Sequence, residues 1–158
     1  MENKKQLPLR IGVGIVLLNH KNNIFVGKRI DNPKNSWQMP QGGVNQKENF
    51  LHAAKRELEE ETGIKSVKLI KELDGWFKYD LPQYLLGKIW KGKYRGQKQK
   101  WFVMRFMGKS NEINVKTKNA EFFDWKWIEI SKLPGVAVHF KADIYKKIKK
   151  QLTSLQLN

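Results

Sequence analysis

The strongest constraint in this chain is a short run in which four glutamates fall within five residues, Glu57, Glu59, Glu60 and Glu61, just ahead of Thr62 and Gly63. The spacing of apolar residues from Asn49 to Thr62 predicts a helix there, stopped by Gly63. At about 100° per residue, Leu51, Ala54 and Leu58 form one arc, and Phe50 and Ala53 fall within about 40° of Glu57. Glu61 lies about 40° from Glu57 toward that arc and Glu60 about 60° the other way. His52, Lys55, Glu59 and Thr62 group on the far side. Three carboxylates therefore share an edge beside apolar residues, while Glu59 points to solvent. Like charges on one edge repel, and burial raises the cost. Arg56 can reach Glu60 at i+4 and offset one charge. A hard divalent cation can offset the rest, since carboxylate oxygens suit Mg²⁺. The plainer alternative is an amphipathic helix with a solvated acidic face.

The surroundings sharpen the contrast. The chain has 158 residues, 31 Lys and Arg against 15 Asp and Glu, and a formal charge of +16. Five of the 15 acids lie between Glu48 and Glu61, whereas no acid occurs between Asp80 and Glu112. Lys88, Lys91, Lys93, Arg95, Lys98, Lys100, Arg105 and Lys109 fill that gap. An acidic island in a basic chain suits a site that holds a cation and, through it, an anion. The net charge attracts polyanions such as nucleic acid, polyphosphates or anionic membranes; solubility is the other explanation. There are no cysteines, which excludes disulfides and thiolate metal sites. A reducing, cytoplasmic setting fits. The apolar run after MENKKQLPLR is short and reads as a strand, not a signal peptide. No stretch approaches the roughly 18 apolar residues of a membrane span, so no membrane partner is expected.

The rest of the chain reads as one domain, 1–158. Strands are expected at 11–18 and 24–29 with a turn between them, then a loop over 31–48 rich in Pro and Gly. After the helix, strands are expected at 67–73, 101–107 and 122–130. Residues 75–96 are broken by Pro and Gly and are hard to place beyond short strands. A closing helix is expected from Ala137 to Leu152. The sum is an α/β (α+β) chain, a mixed sheet with two helices. Trp101, Trp125 and Trp127 lie in expected strands and suit core packing; Trp37 and Trp76 lie in or beside loops and suit substrate contact. Phe140 with Lys141 could stack a base and hold a phosphate, or serve as a helix staple and a surface lysine. His20, His52 and His139 do not cluster. Lys146, Lys147, Lys149 and Lys150 read most simply as a solvated helix face.

From Gly42, five residues lead to Glu48, seven more lead to Arg56-Glu57-Leu58-Glu59-Glu60-Glu61, and Thr62-Gly63-Ile64 closes the run. This resembles a complete Nudix box over 42–64, with every fixed position filled. The likeness implies the Nudix fold, an α/β/α sandwich with a mixed sheet. SWQMPQGG (36–43), GQKQKWFVMRF (96–106), EFFDWKW (121–127) and FKADIY (140–145) are similar to the bacterial RNA pyrophosphohydrolases within that family. The asymmetric dinucleoside polyphosphate hydrolases share much of the pattern. The resemblance implies a magnesium-dependent hydrolase of phosphoanhydride bonds, with Mn²⁺ or another divalent cation able to substitute. It implies conversion of triphosphorylated RNA 5′ ends to monophosphates or, alternatively, cleavage of diadenosine tetraphosphate. It places Glu57, Glu60, Glu61 and a carbonyl near Gly42 on the metal, Glu121 at the metal as ligand or base, and Arg56 as the residue orienting the carboxylates. Arg10, Lys28, Arg29 and Lys100 match basic positions near the phosphates or 5′ nucleotide, and Phe140 and Lys141 match base-contacting positions. A monomer is expected.

Overall fold

The computed structural model describes residues 6–31, 36–118 and 120–157. Its centre is a seven-stranded mixed sheet. Strand β1 (Leu9–Leu18) runs parallel to β6 (Gly96–Phe106) over ten paired positions, from Leu9 opposite Gly96 to Leu18 opposite Arg105. Around this pair lie β2 (Ile24–Arg29), β4 (Val67–Glu72) and β7 (Phe122–Ile128), giving the order β4-β6-β1-β2-β7. Two short strands pair alongside, β3 (Gln41–Gly43) on β1 and β5 (Phe77–Asp80) on β6.

The alternation of side chains along β1 divides the core in two. Val13, Ile15 and Leu17 point to one face, where helix α1 (Phe50–Thr62) lays Ala53, Ala54 and Leu58 against them. Val16 and Leu18 point to the other, where helix α2 (Ala142–Thr153) contributes Ile144, Tyr145, Ile148 and Leu152. Burying each large aliphatic side chain contributes about 1.5–3 kcal/mol, so both helices are held by packing. The result is the expected α/β/α sandwich.

Several boundaries differ from the sequence reading. The stretch 31–48 is not all loop: Gln41–Gly43 pairs antiparallel with Gly12–Gly14. Residues 32–35 of that stretch, like 1–5 at the start, lie outside the described residues. Strand β6 begins at Gly96, five residues earlier than expected, because Gln97 and Gln99 face inward where apolar residues usually mark a strand. Strand β7 stops at Ile128, and a turn of 3-10 helix follows at Ile130–Lys132. The closing helix starts at Ala142; His139–Lys141, expected inside it, forms a separate 3-10 turn. That turn aims Phe140 and Lys141 at the cleft described below.

The tryptophans divide as follows. Trp101 is fully buried. Trp125 and Trp127 are half-buried against Phe25, each with ring centroids 5.7 Å from it. Trp76 remains 39% exposed.

Candidate active site

Local signals set the register of α1. Asn49 caps its start, accepting from the His52 N–H at 2.7 Å, and Gly63 ends it at φ 74° with its N–H on the Glu59 carbonyl at 2.8 Å. The carboxylates then face where the wheel puts them. Glu59 points outward, 3.5 Å from Lys65. Glu60 is half-exposed, Glu57 is mostly covered, and Glu61 is 2% exposed.

Arg56 organises this edge. Its Nε and Nη2 donate to the two carboxylate oxygens of Glu48, each at 2.8 Å. Nη1 donates to Glu57 at 2.9 Å and Glu60 at 3.2 Å, and Nη2 also reaches the Gly43 carbonyl at 2.9 Å. The expected i+4 contact with Glu60 is therefore the longest of its carboxylate bonds. Glu48, held first by Arg56, has its pKa lowered to about 2. Glu57 goes the other way, raised by burial against the opposing pull of Arg56.

Glu61 is the anomaly. Neither carboxylate oxygen has a hydrogen-bond partner. Burial, then the neighbouring charges of Glu121 and Glu57, push its pKa well above the ordinary value. A buried carboxylate without a donor is costly. Glycine makes room for Glu57 and Arg10: a Cβ on Gly42 would lie 2.0 Å from the Glu57 carboxyl carbon, and one on Gly43 would lie 2.2 Å from Arg10 Nη2. An orphaned carboxylate among further carboxylates and a close carbonyl is an all-oxygen donor set, and it fits a hard divalent cation. Among the described residues, no three His, Asp or Glu side chains are drawn together tightly enough to enclose an ion as they stand; Arg56 holds Glu57 and Glu60.

A cleft of about 860 Å³ opens beside this edge. Glu57, Gly42, Gly43 and Glu121 line its acidic end, and Arg10, Arg29 and Lys141 its basic wall. Tyr79, Leu81, Tyr84, Leu85, Ile89 and Trp90 form an apolar and aromatic side, completed by Phe140 and His139. Arg29 bonds Asp31 through Nε and Nη2, both at 2.7 Å, and places Nη1 3.8 Å from Glu121. The Glu121 carbonyl accepts from the Ile30 N–H at 2.9 Å, tying the start of β7 to the end of β2. Arg10 lies over the Trp90 ring at 5.2 Å. Lys141 is buried, donates to Gln38 Oε1 at 2.8 Å, and sits 5.6 Å from the Tyr79 ring centroid. Burial, then Arg29, lower its pKa to about 7.

Two residues expected near the phosphates stand elsewhere. Lys28 points to the α2 face of the sheet, over Trp37 at 5.6 Å. Lys100 points to the α1 face, over Trp76 at 4.7 Å. Neither lines the cleft. Strand alternation explains the split, since Arg29 and Gln99 beside them take the opposite direction.

A glutamine network escaped the sequence reading. Gln99 Nε2 donates to Gln97 Oε1 at 2.9 Å and Gln41 Oε1 at 3.1 Å, Tyr79 donates to Gln97 at 3.0 Å, and Trp101 Nε1 donates to Gln99 at 2.9 Å. The run Gln97-Lys98-Gln99-Lys100-Trp101 alternates with period two, a signal that could have placed both glutamines inside.

Comparison with known proteins gives the family and the fold. Residues 8–149 match the NUDIX domain. An RNA pyrophosphohydrolase of Pelagibacter ubique is 60% identical over 154 residues, covering 98% of each chain. One from Rickettsia canadensis is 46% identical over 149 residues, covering 94% of this chain and 92% of that one. Among solved structures, the E. coli dihydroneopterin triphosphate pyrophosphohydrolase superposes with a TM-score of 0.73 at 17% identity, over 94% of this chain and 99% of the other. A C. elegans Ap4A hydrolase superposes at 0.66 with 18% identity, over 93% and 100%. No helix among the described residues is long and apolar enough to cross a membrane.

Proposed function

Because this chain belongs to the NUDIX family, and is thus a hydrolase of pyrophosphate bonds, we propose that it removes pyrophosphate from triphosphorylated RNA 5′ ends, leaving a monophosphate. The observation that carries this reading is the cleft itself, with the carboxylates of Glu57 and Glu121 at one end, Arg10, Arg29 and Lys141 along the wall, and aromatic rings beyond. The names of the 60% and 46% identical relatives support RNA as the substrate. An RNA substrate and a cysteine-free chain suit the cytoplasm.

Nudix hydrolases generally use divalent cations, and Mg²⁺ is the ion proposed here. Glu57, Glu60, Glu61 and Glu121, with the Gly42 carbonyl, would hold it. When bound, it would neutralise phosphate charge and acidify bound water. The chain's own groups do the rest. Arg10, Arg29 and Lys141 offset charge on the phosphate oxygens and on the leaving pyrophosphate. Glu121 lines the cleft with its carboxylate partly exposed, which supports assigning to it the proton of the attacking water. Arg56 holds Glu57 and Glu60 in place through its anchor on Glu48. Phe140, on the cleft wall with its ring centroid 5.7 Å from that of the buried Tyr79, offers an aromatic ring to the 5′ nucleotide.

The test is a comparison of initial rates on 5′-triphosphorylated RNA and on diadenosine tetraphosphate at equal concentration with Mg²⁺. Faster monophosphate formation on the RNA is expected. Turnover of the dinucleotide with inert RNA would replace this reading by the alternative.

A further inference from the structure

Outside the cleft, Trp37 carries two cations over its ring. Lys126 Nζ lies 4.3 Å from the ring centroid and Lys28 Nζ 5.6 Å. Lys28 also stands 5.9 Å from the ring of Phe123, which is 49% exposed, and Ile30 nearby is 52% exposed. The antiparallel pairing explains the grouping. Lys126 is opposite Val26 and Lys28 is opposite Asp124, so both lysines leave the same face of β2 and β7. Asp124 shares this face, with its Oδ1 accepting from the Trp125 N–H at 2.8 Å, and neither lysine is in an ion pair with it or with any other acid among the described residues. Two unpaired cations and two aromatic rings, one of them well exposed, form a surface that favours a polyanion carrying flat bases.

The surface is continuous with the cleft. Ser36 and Gln38, which flank Trp37, line the cleft, as do Ala137 and Val138. The same four residues, with Trp37, wall a small cavity next to it. The Trp37 backbone N–H donates to the Val136 carbonyl at 2.8 Å, which ties this stretch of backbone to that rim. A chain whose 5′ end is seated in the cleft must leave over a rim, and this rim leads to cations and rings.

We propose that Trp37, Lys28, Lys126 and Phe123 form an outer platform for single-stranded RNA downstream of the nucleotides held in the cleft. The inference rests on the reading of the cleft as an RNA 5′-end site. It assigns to this surface the preference for a long substrate over a nucleotide or dinucleotide, which ends before the platform. It also gives Lys28 a place in substrate binding different from the phosphate contact expected from sequence.

The experiment uses the full chain with Lys126→Glu and, separately, Phe123→Ala, both at exposed positions. KM is measured on a 5′-triphosphorylated dinucleotide and on a single-stranded RNA of about twelve nucleotides. For each variant, KM on the long RNA should rise about 10-fold while KM on the dinucleotide stays within about 2-fold. Equal changes on both substrates, no change on either, or a wild-type enzyme indifferent to length would overturn the platform. Fluorescence anisotropy with 5′-hydroxyl RNA, which cannot react, separates the two readings. Weaker binding by the variants supports the platform even if wild-type enzyme fails to hydrolyse triphosphorylated RNA, an outcome that would sink only the proposed reaction. Unaltered binding of the hydroxyl RNA would sink the platform alone.

Discussion

Arg56 and Glu48 are joined by two parallel hydrogen bonds, Nε to Oε2 and Nη2 to Oε1, each 2.8 Å long. They stand eight positions apart, so the pair fastens the loop ahead of α1 to the helix edge that carries Glu57 and Glu60. The same guanidinium reaches both of those carboxylates. Glu48 thus acts through Arg56: it fixes the orienting group without facing the cleft.

The pair should be visible in acid. Glu48 has a folded pKa of about 2 against an ordinary 4.5. The folded chain therefore binds its proton later than the unfolded chain does. The contribution to stability is complete above pH 4.5 and is lost as pH falls from there toward 2. Glu48→Gln should cost about 2–4 kcal/mol at pH 7, in the range for a covered charge pair that loses one partner. Urea midpoints of the two proteins should converge between pH 4.5 and 2.5. A gap that keeps its pH 7 size down to pH 2.5 would assign the loss to something else.

Gly42 tests how closely backbone and carboxylate must approach. A Cβ there would overlap the Glu57 carboxyl carbon at 2.0 Å. The end of a side chain can swing away, but Glu57 would then leave Arg56. Gly42→Ala should reduce kcat by about 10²-fold, roughly 2.7 kcal/mol of transition-state stabilisation. Its melting temperature should change by only a few degrees. Wild-type kcat in a folded Gly42→Ala protein would show that the contact is dispensable.

What could be read from sequence follows from which physical signals are local. The α1 wheel separated Glu59 from Glu57, Glu60 and Glu61 because helical geometry alone decides which edge a residue occupies, and Gly63 announced the left-handed cap. The fold class followed from strand and helix patterns. The cleft was less legible. Arg10 and Arg29 reach it, whereas Lys28 and Lys100 do not, and only the register of β2 and β6 tells these apart. Gln97 and Gln99 hid an entire strand start because their burial depends on partners as distant in sequence as Gln41. Lys141 could be read as a phosphate-holding residue or as a surface lysine, and nothing local announced that the 3-10 turn buries it on Gln38.

Glu61 joins stability and function with opposite signs. Its carboxylate is buried without a donor. Glu61→Gln removes the charge, so in EDTA its melting temperature should equal or exceed that of the wild type. The wild type should gain stability as Mg²⁺ is added, by about 2.7 kcal/mol at a hundred times Kd, and the variant should gain much less. Its turnover, like that of Glu60→Gln, should fall by at least about 10²-fold at saturating Mg²⁺. Equal Mg²⁺-induced shifts and near-wild-type turnover would remove Glu61 from the metal site.

Lys141 gives a pH signature of the reverse kind. Its folded pKa is about 7 and its ordinary value 10.5. Between those limits the unfolded chain carries a proton that the folded chain has released, so unfolding takes up a proton and stability rises with pH across that window. The cost of burying the charge is complete below pH 7. Lys141→Met removes that cost but leaves Gln38 Oε1 without its donor, a loss of about 1–3 kcal/mol that does not depend on pH. The difference in urea midpoint, variant minus wild type, should therefore be largest near pH 6 and fall steadily toward pH 10. Removing a cation from the cleft wall should also raise KM for triphosphorylated RNA at pH 6 more than at pH 9, where Lys141 is already largely neutral. A midpoint difference that stays flat from pH 6 to pH 10 would mean that Lys141 keeps one charge state throughout, and the depressed pKa would have to be abandoned.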